Sequence, residues 1–375
     1  MKKTYKNILI VGAGLAGSTL ARILAENNLK VYIIDKRKHI AGNIFDFINS
    51  NKERIHKYGP HLLHCNPNSL GLKFLNRFTD WISYEHKVRA LLEDGRTTPL
   101  PINQITLEDI FGEKFKSEIE VKNFLDNIRN INLVPKNTDE FFESSIGNEL
   151  ADIFFRPYTK KMWGVDPKKL ALSIGSRLPI RTNKDSRYFN DQFQALPKYG
   201  YTKMIENMLN HKNINVFLNK NFISGMEIDF KHTFLCIPID EFFKFKYGQL
   251  PYRSIIFEHK KSFSEDLPSP VVNFTDNSKY TRQTQWNLFP NSIGKDYKYN
   301  TITLEKPCDI NENPGEYYYP VSTQVSKKIY EKYKELSIQK EKITFCGRTG
   351  LYKYIDMIPA VMIHLKIAND FLKNN

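Results

Sequence analysis

Gly12, Gly14 and Gly17 stand in a G-x-G-x-x-G spacing directly after the apolar run Asn7-Ile-Leu-Ile-Val11, a pattern suited to binding a dinucleotide. The first glycine permits a tight turn, the second lets backbone approach a pyrophosphate, and the third lets the next helix lie close to the sheet. That helix turns its N-terminus toward the phosphates. Asp35 ends a second apolar run, Val31-Tyr-Ile-Ile, where it is placed to accept a hydrogen bond from a ribose hydroxyl, with Lys36 beside it. In His39-Ile-Ala-Gly42-Asn43 a further glycine marks another close approach of backbone to cofactor. Near the C-terminus, Phe345-Cys-Gly-Arg348 reads as a strand, a glycine turn and an arginine, followed by a helix start at Asp356-Met357. Such an element completes the cofactor site in flavoproteins. Arg348 would neutralise the pyrophosphate, and the helix N-terminus would stabilise negative charge on a reduced isoalloxazine.

His61 and His64 are three residues apart, but no further Cys or His lies at metal spacing, so no metal is expected. Cys65, Cys236, Cys308 and Cys346 are scattered, without a C-x-x-C pair, and fit reduced thiols of a cytoplasmic enzyme. The formal charge of +14 raises the question of nucleic acid, yet the 41 lysines and 14 arginines form no basic run. An electropositive face that attracts an anionic small molecule is the better reading. Aromatic residues, 13% of the chain, must fill a core or line sites for flat ligands.

These residues must be positioned by an α/β fold. The start, Met1-Lys-Lys-Thr and an apolar run, imitates a secretory signal, but that run is the phosphate-binding strand and has to stay. No stretch of eighteen apolar residues exists, so no membrane insertion is expected. From Thr106, where Thr106-x-x-Asp109 resembles a capping box, to about Gly175 the periodicity is helical. Runs such as Ser254-Ile-Ile-Phe257, Val271-Val-Asn-Phe274 and Asn300-Thr-Ile-Thr-Leu304 read as antiparallel strands. The expected organisation is a discontinuous Rossmann-like domain (1–80, 187–245 and 335–375), an inserted helical bundle (103–186) and a twisted antiparallel sheet domain (81–102 and 246–334).

The motifs Tyr58-Gly-Pro-His61-Leu-Leu-His64, Tyr158-Thr-Lys-Lys-Met-Trp163, Arg177-Leu-Pro-Ile-Arg181, Asp185-Ser-Arg-Tyr188, Tyr252-Arg253, Tyr280-Thr-Arg282, Tyr318-Tyr319-Pro-Val and Tyr352-Lys-Tyr354-Ile-Asp356-Met357 span nearly the whole chain. In that order they resemble the bacterial UDP-galactopyranose mutases. The resemblance implies FAD, a homodimer and isomerisation of UDP-galactopyranose to UDP-galactofuranose through a covalent adduct of reduced flavin with the sugar. It also implies a supply of furanose for surface polysaccharide. Arg177 and Arg282 match the family's diphosphate-binding arginines, whose planar guanidinium groups suit a leaving diphosphate. Gly175 would let a loop swing Arg177 onto the substrate. Phe154, Phe155, Tyr158 and Trp163 match the uridine site, and Tyr188, Tyr318 and Tyr354 the phosphate-contacting hydroxyls. Arg253 and Asp356 match active-site support residues, Arg253 on the substrate side and Asp356 on the cofactor side, and the loop of His61, expected to bind the cofactor, and His64, expected to be catalytic, lies against the flavin. Pro60 and His86 depart from common family residues beside the sugar, which makes UDP-N-acetylgalactosamine a further candidate substrate. A flavin oxidase or dehydrogenase of the amine-oxidase type, and a non-catalytic nucleotide-binding flavoprotein, stay open as alternatives.

Overall fold

The computed structural model describes residues 7–177, 179–294 and 299–374, so the signal-like start at 1–4 and Leu178 of the 177–181 motif lie outside the described residues. Five parallel strands form the nucleotide-binding sheet, in the order Ile214–Phe217, Lys30–Ile34, Asn7–Val11, His232–Leu235 and Ile343–Phe345. The apolar residues of its central strands are mostly buried, on both faces. Ile8, Ile10, Val31 and Ile33 enter one core cluster and Leu9, Val11 and Ile34 another, as a parallel sheet covered on two sides requires. The helices Leu15–Glu26 and Met357–Lys373 pack together on one face.

A second sheet has seven strands, in the order Tyr319–Pro320, Tyr252–Ser262, Asn300–Asp309, Arg282–Gln285, Val271–Phe274, Val88–Leu91 and Thr97–Leu100. It is mixed rather than purely antiparallel, because Val271–Phe274 runs parallel to Val88–Leu91. Alternation along one strand cannot reveal its neighbour's direction. Trp81–Ser83, expected in this sheet, instead joins Leu63–Cys65 and Phe193–Pro197 in a three-stranded antiparallel sheet. The helix Gln324–Ile338, most of it assigned to the sheet domain from sequence, buries Tyr333 in the core cluster that also holds Leu9, Val11 and Phe345 of the nucleotide-binding sheet.

The helical insertion begins with Gln104–Phe111, and its capping box is Asn103 with Thr106, not Thr106 with Asp109. Asn103 accepts from the Thr106 amide, while Asp109 accepts from Thr98 Oγ1. Helices Glu118–Ile128 and Thr138–Leu150 follow. A π-helical turn, Ala151–Phe155, then passes into the helix Arg156–Trp163 with Pro157 in its first turn. Proline has no amide hydrogen to return to the preceding turn, so the register shifts there and the aromatic pair Phe154-Phe155 is re-aimed. Among the described residues no helix is long and apolar enough to cross a membrane.

Candidate functional site

Two cavities meet between the sheets. The larger, about 550 Å³, is lined by Gly12, Gly14, Gly17, Asp35, Lys36 and Gly42 at one end and reaches Arg348 and Met357 at the other. The smaller, about 340 Å³, lies beside the seven-stranded sheet. Asn43, His61, Arg348 and Met357 line both and mark the junction.

The glycines of the larger cleft have distinct tasks. A Cβ on Gly17 would stand 1.9 Å from the Gly12 carbonyl oxygen, so this glycine serves helix packing. Gly12 has φ +111° and forms the turn. A Cβ on Gly14 would meet nothing closer than Gly42 Cα at 3.6 Å, so the absence of a side chain there keeps cleft space open. Asp35 is buried and accepts from the amides of Ala13 (2.8 Å) and Arg37 (2.9 Å), which pins the glycine turn and leaves lone pairs for a hydroxyl. Lys36 turns its ammonium to the Gly315 carbonyl. Neither the helix starting at Leu15 nor the one starting at Met357 has a side-chain N-cap bond, and both begin at the cavity walls. Their first-turn amides are donors awaiting an acceptor.

In the smaller cavity, strand register builds a row. Asn273 pairs with Arg282, and Arg282 pairs with Glu305, on three adjacent strands. All three side chains line the cavity. Arg282 Nη1 lies 3.6 Å from Glu305 Oε1, and Nη2 lies 3.5 Å from the Tyr158 hydroxyl. Arg282 Nε has no hydrogen-bond partner among the described residues, nor has Asn273 Oδ1. Burial pushes the Glu305 carboxyl upward while Arg282 pulls it down, with a net rise. Arg177 comes from the segment after the helix Leu172–Gly175, donates to the Tyr354 hydroxyl at 2.7 Å and lies 3.9 Å from Asp356. Its side chain is 44% exposed and rests over the Tyr354 ring. Arg348 donates to the Tyr318 and Ile355 carbonyls. Three guanidinium groups face two carboxyl groups, so the cavity suits a diphosphate.

Phe154 is buried at 1% exposure, Phe155 stacks on Phe142, and Trp163 packs against Tyr319. With Tyr158 and Tyr188 they line the same cavity. His64 is oriented by Asp191 at 2.7 Å and stacks on Phe189. The His61 Nδ1 contacts the Gly59 carbonyl at 2.8 Å, so Nδ1 carries the proton and Nε2 is the acceptor. Burial drives the pKa of His61 and of His86 down to about 3, so both are neutral imidazoles at neutral pH. His86 Nδ1 is buried without a partner among the described residues.

Three expectations need correction. Arg253 does not line the cavity; its guanidinium donates to the carbonyls of Met162 and Lys161 and anchors the end of the Arg156–Trp163 helix. The Tyr318 hydroxyl donates to Glu316 at 2.9 Å rather than standing ready for a phosphate. Tyr319 stacks instead on Tyr354 and lies among Arg177, Arg282 and Arg348. Both tyrosines line the cavity, and what separates them is that the Tyr318 hydroxyl already has a partner within the protein. The hinge reading of Gly175 leaves out its packing: a Cβ there would lie 3.1 Å from Phe142 and Thr138, so the glycine lets one helix press on another. Sequence reasoning also missed Glu305, whose only signal was a charge on the inward alternation of a strand.

The UDP-galactopyranose mutase family model matches residues 153–354, more than half of the chain and the part that carries Arg177, Arg282 and Arg348. A probable UDP-galactopyranose mutase of Klebsiella pneumoniae is 36% identical over 373 residues, covering 98% of this chain and 95% of that protein. The chain belongs to the UDP-galactopyranose mutase family. As a member it is an enzyme of the isomerase type, which decides against the oxidase and binding-protein alternatives. A dTDP-fucopyranose mutase of Escherichia coli is 33% identical over 380 residues, 98% of this chain and 99% of that protein. In fold, the crystal structure of a reduced UDP-galactopyranose mutase matches with a TM-score of 0.75 at 16% identity, covering 98% of this chain and 94% of that one. Residues 10–78 match an NAD(P)-binding Rossmann-like domain, in keeping with the five-stranded sheet.

Proposed function

We propose that this mutase-family enzyme interconverts UDP-galactopyranose and UDP-galactofuranose with reduced FAD as cofactor. The observation that carries the reading is the joining of Arg177 and Arg282 with Tyr158, Tyr188, Tyr319 and Tyr354 in one cavity that opens at His61 and Arg348 into the glycine-lined cleft. The uncapped helix N-termini and the side-chain-free surface of Gly14 and Gly42 fit the pyrophosphate and flavin of FAD. Asp35, Lys36, Gly42 and Asn43 would hold its adenosine and pyrophosphate end, and His61, Arg348, Asp356 and Met357 its ring end. When bound in reduced form, FAD supplies a nucleophilic ring nitrogen for the sugar's anomeric carbon.

The protein's own groups do the rest. Arg177 and Arg282 stabilise the charge that gathers on the departing diphosphate. Tyr158 holds Arg282 in reach, and Tyr354 orients Arg177. Phe154, Phe155 and Trp163 exclude water and bury the uracil ring. His64 is oriented by Asp191, and His86, kept neutral by burial, presents its imidazole to the sugar without adding a positive charge that would compete with the clamp. The four unpaired cysteines support a reducing, cytoplasmic setting. The exposed Ile119, Ile131 and Val134 of the helical insertion support a homodimer, which sedimentation would check.

The test is chromatography of sugar nucleotides after incubation with and without dithionite. Furanose product from UDP-galactopyranose only under reduction supports the reading; full turnover with oxidised FAD refutes it. UDP-N-acetylgalactosamine and dTDP-fucopyranose run in parallel define the sugar and base range, and product from neither restricts the enzyme to galactose.

A further inference from the structure

Lys161 lies outside the cavity, yet its ammonium, 14% exposed, is surrounded by acceptors from another part of the fold. Nζ donates to the Phe274 carbonyl at 3.0 Å, the Tyr280 carbonyl at 2.8 Å and Asp276 Oδ1 at 3.3 Å. An ammonium has three protons, and here each has an acceptor. The two carbonyls flank the loop between the strands Val271–Phe274 and Arg282–Gln285, and Asp276 sits inside that loop, where it also accepts from Ser278. Lys161 therefore fastens the loop shut from below.

The tie joins two working parts. Lys161 lies on the Arg156–Trp163 helix, between Tyr158 and Trp163, while the loop it closes runs directly into Arg282. Arg282 and Tyr158 meet at 3.5 Å across this junction. Thr281, between the loop and the clamp arginine, is itself bonded to the Glu305 carbonyl, so any loosening of the loop reaches the Asn273, Arg282 and Glu305 row. Arg253 binds the same helix from the sheet side through the Lys161 and Met162 carbonyls, so the helix end is held from two directions. We propose that Lys161 is a positioning residue for the diphosphate clamp: it sets the Arg282 strand against the Tyr158 helix without touching substrate.

The inference rests on the reading of Arg282 as a UDP-diphosphate ligand, and its test separates the two. UDP affinity is measured by calorimetry for wild type, Lys161→Met, Arg282→Ala and the double variant, and amide hydrogen exchange is followed in the ligand-free proteins. Lys161→Met should weaken UDP by about ten-fold in the wild-type background and hardly at all in the Arg282→Ala background, since one effect passes through the other. Exchange should quicken in the 274–282 segment. Lys161→Gln, which keeps two donors, should fall between, and it serves if Lys161→Met does not fold. Additive losses of affinity, or unchanged exchange in that segment, would overturn the proposal. Wild type that does not bind UDP would refute the mutase reading, and the exchange experiment would still decide the tie.

Discussion

Single side chains in the cavity differ in whether protein or ligand is their partner. Arg282 Nε has no acceptor among the described residues, and Arg177 is bonded to Tyr354, so both keep donor capacity for a diphosphate. Arg177→Ala and Arg282→Ala should each cost roughly 2–4 kcal/mol in kcat/KM; Arg177→Ala should leave the melting temperature nearly unchanged, whereas Arg282→Ala should also lower it because buried Glu305 loses its cation, and lysine should restore little catalysis because it lacks the planar fork. Wild-type rates in either alanine variant would displace the clamp. The adjacent tyrosines offer a sharper comparison. Tyr318 is occupied by Glu316 and buried at 4% exposure, whereas Tyr319 lies among three arginines. Tyr319→Phe should therefore lower kcat/KM by roughly ten-fold or more, the value of a hydrogen bond to a charged group, and Tyr318→Phe should mainly lower stability. The reverse order in steady-state kinetics would restore the original assignment.

At the scale of elements, three glycines separate folding from binding. Gly17 lies against the Gly12 carbonyl, which is backbone and cannot rotate away, so Gly17→Ala should abolish folding or remove several kcal/mol. Gly14→Ala meets only ordinary contacts, so it should leave the urea midpoint of cofactor-free protein unchanged and weaken FAD binding, read from flavin fluorescence. An equal loss of stability in both variants would mean that Gly14 too is a packing residue. Gly175→Ala pushes a methyl toward Phe142, Phe141 and Thr138, all side chains that can shift by tenths of an ångström, and should cost about 1–3 kcal/mol in urea unfolding. The strand, glycine and helix order of this nucleotide fold was readable because period and glycine spacing are local properties. The Asn103 cap was misread because Asn and Thr are both good cap formers, and only the entry path of the chain chooses between them.

For the molecule as a whole, acid is the condition that separates folded from unfolded chain. His56, His61 and His86 are held by burial near pKa 3, while an unfolded histidine titrates near 6.5. Below that value the unfolded chain binds more protons, so the stability these residues contribute is intact above about pH 6.5 and is lost as pH falls toward 3. Each contributes a slope of about 1.4 kcal/mol per pH unit once its unfolded form is protonated. Glu305 opposes this at and above the usual carboxylate range, up to its raised folded pKa: the folded state takes up its proton first there, so its contribution grows as pH falls and is complete below the unfolded value. Urea midpoints should drop steeply between about pH 6.5 and 5.5 in both cofactor-free and cofactor-loaded protein, and a flat profile would mean that these rings are hydrated. The sequence by itself determined the dinucleotide cleft, the helical insertion and the family, because glycine spacing, periodicity and ordered motifs survive in one dimension. It named Arg282 but not the Glu305 that faces it, and it could not choose Tyr319 over Tyr318. Tertiary structure decided those, together with the task of Arg253 and the tie made by Lys161. The Asn273, Arg282 and Glu305 row depends on strand register, where a shift of one residue reverses the face a side chain presents, and the others depend on which distant segments the fold brings together.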